Sequence, residues 1–284
     1  MDVAFAFVGF GEAGAAFAGG ARARGFDRKT DDPATREAKL ADFARAGVQV
    51  CETPAEALAG VGAVLCLVTA DQALAAARTA APLIASGTLW LDMNSVAPDT
   101  KRAAAALIEG AGGRYVDVAV MSPVHPKRRA APVLVGGPHA EDAAAFLAGI
   151  GFTDVTRVSG PIGQASSIKM IRSVMVKGLE ALTAECFLAA DAAGVGETVR
   201  ASLDATWPGG DWAGRADYNL DRMMVHGLRR AAEMEEVVKT LDALGTGSAM
   251  TRGTVERQRA IGALGLVPHD GLAAKLAAIK GATR

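Results

Sequence analysis

Residues 2–8 read DVAFAFV, a near-continuous apolar run in which small and bulky side chains alternate and no polar face is left over. A run of that kind fits a strand buried on both sides, as in a parallel sheet. Residues 21–26, ending at Asp27, predict a second strand. Further strands are predicted at 47–52 (GVQVCE), 63–70 (AVLCLVTA), 88–95 (TLWLDMNS), 115–121 (YVDVAVM) and 132–137 (PVLVGG). Between them lie stretches with helical character: a short alanine-rich segment that breaks at Gly19 and Gly20, then 53–58, 71–84 and 100–109, each with a residue suited to capping at its start. Strands alternating with helices imply crossover connections, hence an α/β fold with a mostly parallel sheet and helices on both faces.

The pattern changes after Gly160. Residues 162–193 form one long helical run, and the rest of the chain reads as helical except for the turn-rich patch WPGGDWAG at 207–214. This predicts an α/β domain over 1–161 and an all-helical domain over 162–284, with the boundary near Ile162 and no internal repeat.

A chain of 284 residues with 50% hydrophobic content suffices for a core in each of two domains. The net charge of -1, from 30 basic and 31 acidic residues mixed along the chain, provides no basic stripe for a nucleic-acid backbone, so a small-molecule partner is expected. Three widely spaced cysteines, Cys51, Cys66 and Cys186, suggest neither a disulfide framework nor a CxxC metal site. His125 and His139 have no second ligand at useful spacing, so no metal is expected. The first residues lack a signal-peptide pattern and no apolar run approaches the ~20 residues of a bilayer span. The expectation is a cytoplasmic protein without a membrane partner.

Directly behind the first apolar run stand Gly9-Phe10-Gly11-Glu12-Ala13-Gly14. In a dinucleotide fold the first glycine of GxGxxG permits a tight turn, the second lets backbone approach a pyrophosphate, and the third allows close helix packing. The anion rests on unpaired N–H groups at the helix start, so Glu12 contributes backbone and not charge. Among 33 glycines the motif alone is weak, and its weight comes from the buried strand before it and the strand–helix series after it. Asp27, at the end of the second strand, is placed to bind the adenosine ribose of NAD, whereas Arg28 and Lys29 suit the 2′-phosphate of NADP. The two signals conflict and leave NAD and NADP both open; the pair of cations also fits a solvated loop.

Taken in order, GFGEAG (9–14), LVTAD (67–71), DMNSVAP (92–98), DVAVMSP (117–123) and GPIGQASSIKMIRS (160–173) resemble the β-hydroxyacid dehydrogenase family, which includes 3-hydroxyisobutyrate and 6-phosphogluconate dehydrogenases. KGLEAL (177–182) and HGLRRAAEMEE (226–236) resemble a less characterised bacterial branch of it. The resemblance implies a Rossmann-type NAD(P)-binding domain, a helical substrate domain that packs as a homodimer, and hydride transfer between a nicotinamide and a hydroxyacid or related hydroxy/oxo compound.

It also implies roles for individual residues. Lys169 takes the place of the family's general acid/base, behind Gly160 and Gly163, and Ser173 stands where the family has Asn. At helical spacing Lys169, Arg172 and Ser173 share one face, so Arg172 is expected to lower the Lys169 pKa and to hold an anionic substrate. Val68 and Thr69, with Asn94 and Ser95, are expected to border the nicotinamide ribose and ring; Thr69 and Ser95 also suit helix caps. In the substrate loop Met121, Ser122 and Pro123 replace the family's Ser-Gly-Gly, and Pro123 has no N–H to give a carboxylate, which favours a bulkier or less acidic substrate. His226 falls near a second family lysine, and Arg229, Arg230 and Glu233 either join the site or form a surface salt-bridge face. Trp207, Trp212 and Tyr218 suit an aromatic pocket or ordinary packing. Two other functions compete: an imine reductase on the same architecture, whose members usually carry Asp or Tyr where Lys169 stands, and a non-catalytic dinucleotide sensor.

Overall fold

A computed structural model describes residues 5–19 and 22–283. The expected strand positions 2–4 and 21, and the helix break at Gly20, lie outside the described residues. Eight strands form one sheet: β1 (Phe5–Val8), β2 (Ala23–Phe26), β3 (Gln49–Val50), β4 (Ala63–Cys66), β5 (Leu89–Asp92), β6 (Arg114–Val120), β7 (Val133–Gly136) and β8 (Val155–Val158). Their order is β3-β2-β1-β4-β5-β6-β7-β8. All neighbouring pairs are parallel except β6 and β7, so the expected mostly parallel sheet is observed with one antiparallel step.

Why the first apolar run is a buried strand is visible in its alternation. Phe5 and Phe7 enter a core layer with Phe10, Phe17, Phe43 and Phe152, while Ala6 and Val8 enter the opposite layer with Val64, Trp90, Ile108 and Tyr115. Phe7 touches the Phe10 ring edge-on at 5.3 Å, and Phe10 stacks on Phe43 at 4.2 Å. Each such side chain contributes about 1.5–3 kcal/mol by leaving water. Helices cover both faces: α1 (Glu12–Ala18), α2 (Pro33–Ala46), α3 (Pro54–Leu58), α4 (Ala73–Ala80), α5 (Pro98–Gly110) and α6 (Ala140–Gly149).

Several elements differ from the sequence expectation in extent. The helix expected over 71–84 is three pieces, with α4 flanked by 3-10 turns at Ala70–Gln72 and Ala81–Leu83; the second break falls at Pro82, which has no N–H to continue the ladder. The strand expected over 63–70 ends at Cys66, where the chain turns toward the carboxyl edge. Helices α2 and α6 and strand β8 emerge only in the structure. Helix α2 is charge-rich, yet it has a clear start: Asp32 accepts a hydrogen bond from the Ala34 N–H and Pro33 occupies the first turn.

The chain divides into two compact units, Met1–Met170 and Ile171–Arg284. The division falls within α7 (Gln164–Ala192), which starts near the boundary expected at Ile162. The second unit continues with α8 (Gly196–Thr206), α9 (Trp212–Leu244), α10 (Ala249–Gly262) and α11 (Leu272–Ala282). Its turns are more numerous than expected: besides 207–211, the segments 245–248 and 263–271 are non-helical, and α9 already begins at Trp212 inside the glycine-rich patch. Helices α9 and α10 touch backbone to backbone, since a Cβ on Gly227 would lie 2.4 Å from the Gln258 carbonyl oxygen. Phe187, Leu220, Met223, Ile261 and Leu276 are among the residues that fill its core. Among the described residues no helix is long and apolar enough to cross a membrane.

Candidate active site

The glycine turn joins β1 to α1 at the carboxyl edge of the sheet, beside the point where strand order reverses around β1. Gly9 has φ +82°, and a Cβ there would sit 2.5 Å from the Leu67 carbonyl oxygen, so only glycine lets the chain leave β1 against the end of β4. Gly11 differs: a Cβ on it would meet nothing within 4 Å, leaving open space before the first turn of α1. Glu12 is exposed and Ala13 half-buried. Gly14 packs against the Phe10 ring, 3.0 Å from a would-be Cβ, so its close contact is with the turn itself and not with a strand.

Two charged residues brace this turn through Phe10. The Phe10 N–H donates to Asp27 Oδ2 at 2.7 Å, and its carbonyl oxygen accepts from Lys39 Nζ at 2.8 Å. Lys39 is buried and also pairs with Asp42 at 2.8 Å, which holds the Asp42 carboxyl below its ordinary value. Lys39 was not legible as a site residue, because a lysine in a charge-rich helix reads as solvated. Asp27 also accepts from the Lys29 N–H at 2.9 Å, so the carboxylate is oriented by backbone on both oxygens. Arg28 and Lys29 are exposed. Arg28 Nη1 donates to Gln72 Oε1 at 2.5 Å, bridging the 3-10 turns that follow β2 and β4, and Gln72 in turn donates to Asp71. The Asp71 carboxyl is lowered by that bond and then by one to Thr69. The Thr69 side chain thus makes no cap bond to its own 3-10 turn.

Further along the same edge, Asn94 is buried and fully engaged. Its Nδ2 donates to Asp92 Oδ1 at 2.8 Å and its Oδ1 accepts the Val68 N–H at 2.7 Å, which fixes the turn after β4 against the turn after β5. Ser95 does not cap α5, whose N-cap position is Ala97. Instead its hydroxyl oxygen accepts a hydrogen bond from Lys169 Nζ at 2.6 Å. The fold therefore brings Lys169, Ser95, Asn94 and Val68 together within the first unit, although 74 residues separate Lys169 from Ser95. In the loop after β6 the Met121 N–H donates to the Pro132 carbonyl oxygen at 2.8 Å, the Ser122 hydroxyl donates to the Pro123 carbonyl oxygen, and Pro123 is exposed.

The remaining expected residues belong to the second unit. On α7 Arg172 is exposed and Ser173 buried. His226 is half-buried on α9. Arg230 is not on a solvated face: it is buried and its guanidinium makes a two-pronged ion pair with Glu180. Glu233 bridges Arg229 at 2.7 Å and buried Lys177 at 2.6 Å. Burial pushes the Lys177 ammonium below its ordinary pKa against the pull of Glu233. The surface-face alternative for Arg230 and Glu233 fails because α7 and α10 cover that side of α9. Trp207 and Tyr218 are about half exposed, at 54% and 56%, and Trp207 meets Trp212 edge-on at 5.6 Å.

Residues 4–154 match the NAD binding domain of 6-phosphogluconate dehydrogenase. The chain belongs to that family. Residues 190–261 match a domain of unknown function (DUF1932). The chain is similar over nearly its whole length to a conserved hypothetical protein from Sinorhizobium meliloti 1021, at 38% identity, covering 99% of this chain and 97% of that one, with a TM-score of 0.76. Its fold is shared by a Mycobacterium tuberculosis 3-hydroxyisobutyrate dehydrogenase (19% identity, 99% of both chains, TM-score 0.73) and by a Streptomyces aurantiacus imine reductase (19% identity, 99% of both chains, TM-score 0.56). No curated protein matches the sequence.

The family implies a nicotinamide dinucleotide, and the residues fit one. Open space lies before Gly11 at the start of α1, where the first N–H groups of a helix have no partner within the helix. Gly11 to Gly14 would hold the pyrophosphate by backbone, Asp27 and Arg28 would face the adenosine end, and Val68, Thr69 and Asn94 would border the nicotinamide end. Among the described residues no group of His, Cys, Asp or Glu could hold a metal ion.

Proposed function

We propose that this family member is an NAD(P)-dependent oxidoreductase for a β-hydroxyacid or a related hydroxy/oxo compound, with Lys169 as its general acid/base. The observation that carries the reading is the 2.6 Å contact of Lys169 with Ser95, which holds an ammonium at the carboxyl edge of the dinucleotide-binding sheet. When bound, the nicotinamide supplies or accepts the hydride. The protein's share is the proton. In the reductive direction the Lys169 ammonium donates to the carbonyl oxygen as negative charge develops there; in the oxidative direction the neutral amine accepts the hydroxyl proton. Ser95 aims the amine, and Asn94 keeps Ser95 in place by fixing the two turns that flank it.

Asp27 supports binding of a ribose diol, while exposed Arg28 and Lys29 support a 2′-phosphate, so both NADH and NADPH belong in the test. Arg172, Ser173 and His226 are proposed to line the substrate side. An exposed apolar row on α7, comprising Ile171, Met175, Leu179 and Leu182, supports a homodimer through the helical domain.

The test is a titration of NADH and NADPH by fluorescence, followed by cofactor oxidation against a panel of oxo-acids, aldehydes and cyclic imines. Turnover of an oxo-acid or aldehyde is the expected result. Activity confined to cyclic imines would make the protein an imine reductase, and tight dinucleotide binding without turnover on any compound would make it a sensor.

A further inference from the structure

We propose that Lys101 is the positioning residue of this site: one buried ammonium fixes two carboxylates, and from those two carboxylates both partners of the Lys169–Ser95 contact are held. The inference rests on the reading of Lys169 as the proton carrier.

Lys101 lies in α5 with no exposed surface, and Asp92 and Asp117 are equally enclosed. Its Nζ donates to the Asp92 carbonyl oxygen at 2.5 Å, to Asp92 Oδ1 at 3.1 Å and to the Val118 carbonyl oxygen at 3.4 Å, and stands 3.6 Å from Asp117 Oδ1. Asp92 and Asp117 are register partners on adjacent strands β5 and β6. Like charges directly opposite each other repel, and buried charge persists only beside a counter-charge. Lys101 answers both carboxylates. For Asp117 Oδ1, which is buried and has no hydrogen-bond partner among the described residues, it is the nearby cation.

Each carboxylate then holds one half of the site. Asp92 Oδ1 accepts the Asn94 N–H at 3.0 Å and Asn94 Nδ2 at 2.8 Å, and Ser95 is the next residue. Tyr115 donates its hydroxyl to Asp92 Oδ2 at 2.7 Å; burial, and then the charge of Asp92, push the Tyr115 pKa well up, so this donor keeps its proton. On the other side Asp117 Oδ2 accepts the Gly163 N–H at 3.1 Å, the Ser166 N–H at 3.0 Å and the Ser166 hydroxyl at 3.3 Å. These bonds pin the first turn of α7, and Lys169 follows Ser166 within one turn of helix. The path closes on itself: Lys169 to Ser95, through Asn94 and Asp92 to Lys101, through Asp117 to Ser166 and along the helix back to Lys169. A cluster serving the core alone has no need to end on both sides of one surface contact.

The experiment compares Lys101→Met, which removes the charged terminal atom but keeps most of the apolar stem, with Asp117→Ala, which releases the helix start but leaves Lys101 and Asp92 as an equal pair. Surface lysines are reductively methylated with ¹³C, the Lys169 resonance is assigned with Lys169→Arg, and its titration is followed by NMR beside NADH and NADPH titrations and steady-state kinetics. The expected result is that folded variants bind dinucleotide as wild type does, titrate Lys169 at a different pH, and lose about 10²-fold in kcat with KM little changed. A folded variant in which Lys169 titrates as in wild type would overturn the proposal. So would failure of both variants to fold, judged by circular dichroism, because the cluster would then serve the core. Absence of turnover in the wild type would strike the activity reading instead, while the Lys169 titration still decides the role of Lys101.

Discussion

The Lys169 ammonium and the Ser95 hydroxyl meet at 2.6 Å, joining the first turns of α7 to the turn that follows β5. Lys169→Ala is expected to lower kcat by about 10²–10⁴-fold, the usual share of a general acid/base, while dinucleotide affinity stays at the wild-type value. Steady-state rates with a reactive oxo compound, together with fluorescence titration of NADH and NADPH, check both halves. Near-normal turnover in the variant removes Lys169 from the chemistry.

The first two glycines of the turn separate a folding role from a binding role. Gly9→Ala forces a Cβ against the Leu67 carbonyl at a positive φ, and is expected to cost about 2–4 kcal/mol in urea unfolding. Gly11→Ala, at an extended N-cap position with nothing within 4 Å, is expected to cost under about 1 kcal/mol in the unliganded protein and yet to weaken dinucleotide binding severely. Equal loss of stability in the two variants contradicts this division.

Tyr115 predicts an alkaline limit. Its folded pKa is raised above the ordinary 10.0, so below pH 10 the phenol is neutral in both states and its contribution is full. As pH rises past 10 the unfolded phenol ionises while the folded one does not, and stability falls by about 1.4 kcal/mol per pH unit. Tyr115→Phe is expected to be less stable at neutral pH by about 1–3 kcal/mol, through loss of the bond to Asp92, and to show a shallower decline above pH 10. Parallel stability–pH curves for the two proteins count against this account.

Leu179 and Leu182 are 41% and 58% exposed on α7. If the proposed dimer forms through this face, wild type sediments as a dimer and the double substitution Leu179→Glu/Leu182→Glu as a folded monomer, since both side chains lie largely outside the core of the second unit. Identical sedimentation of wild type and variant excludes this face as the interface.

Much of the first unit was legible because its strands are buried on both sides and announce themselves as apolar runs. Lys169 and Ser95 were legible only through motifs, since nothing in the local spacing says that residues 74 apart will touch. Lys101 was illegible for a physical reason: in PDTKRAAAAL it sits beside Arg102 and reads as half of a charged surface pair. Its burial depends on two carboxylates from different strands, a tertiary fact with no local period. The direction of β7 was equally hidden, because the same apolar alternation serves parallel and antiparallel neighbours.

That one antiparallel step bears on how such a protein diversifies. The chain leaves β6 and enters β7 on the same edge, so residues 121–132 make a returning loop that needs no crossover helix. Arg129 moors this loop by donating to the carbonyl oxygens of Phe17 and Ala18 at the end of α1. Met121 adds the next bond beyond the β6–β7 register, to the Pro132 carbonyl oxygen, through its backbone N–H, so a side-chain replacement there other than proline keeps that bond. On the proposed reading, which places substrate contacts in this loop, such replacement would alter the pocket while the sheet that carries the dinucleotide turn keeps its strand order.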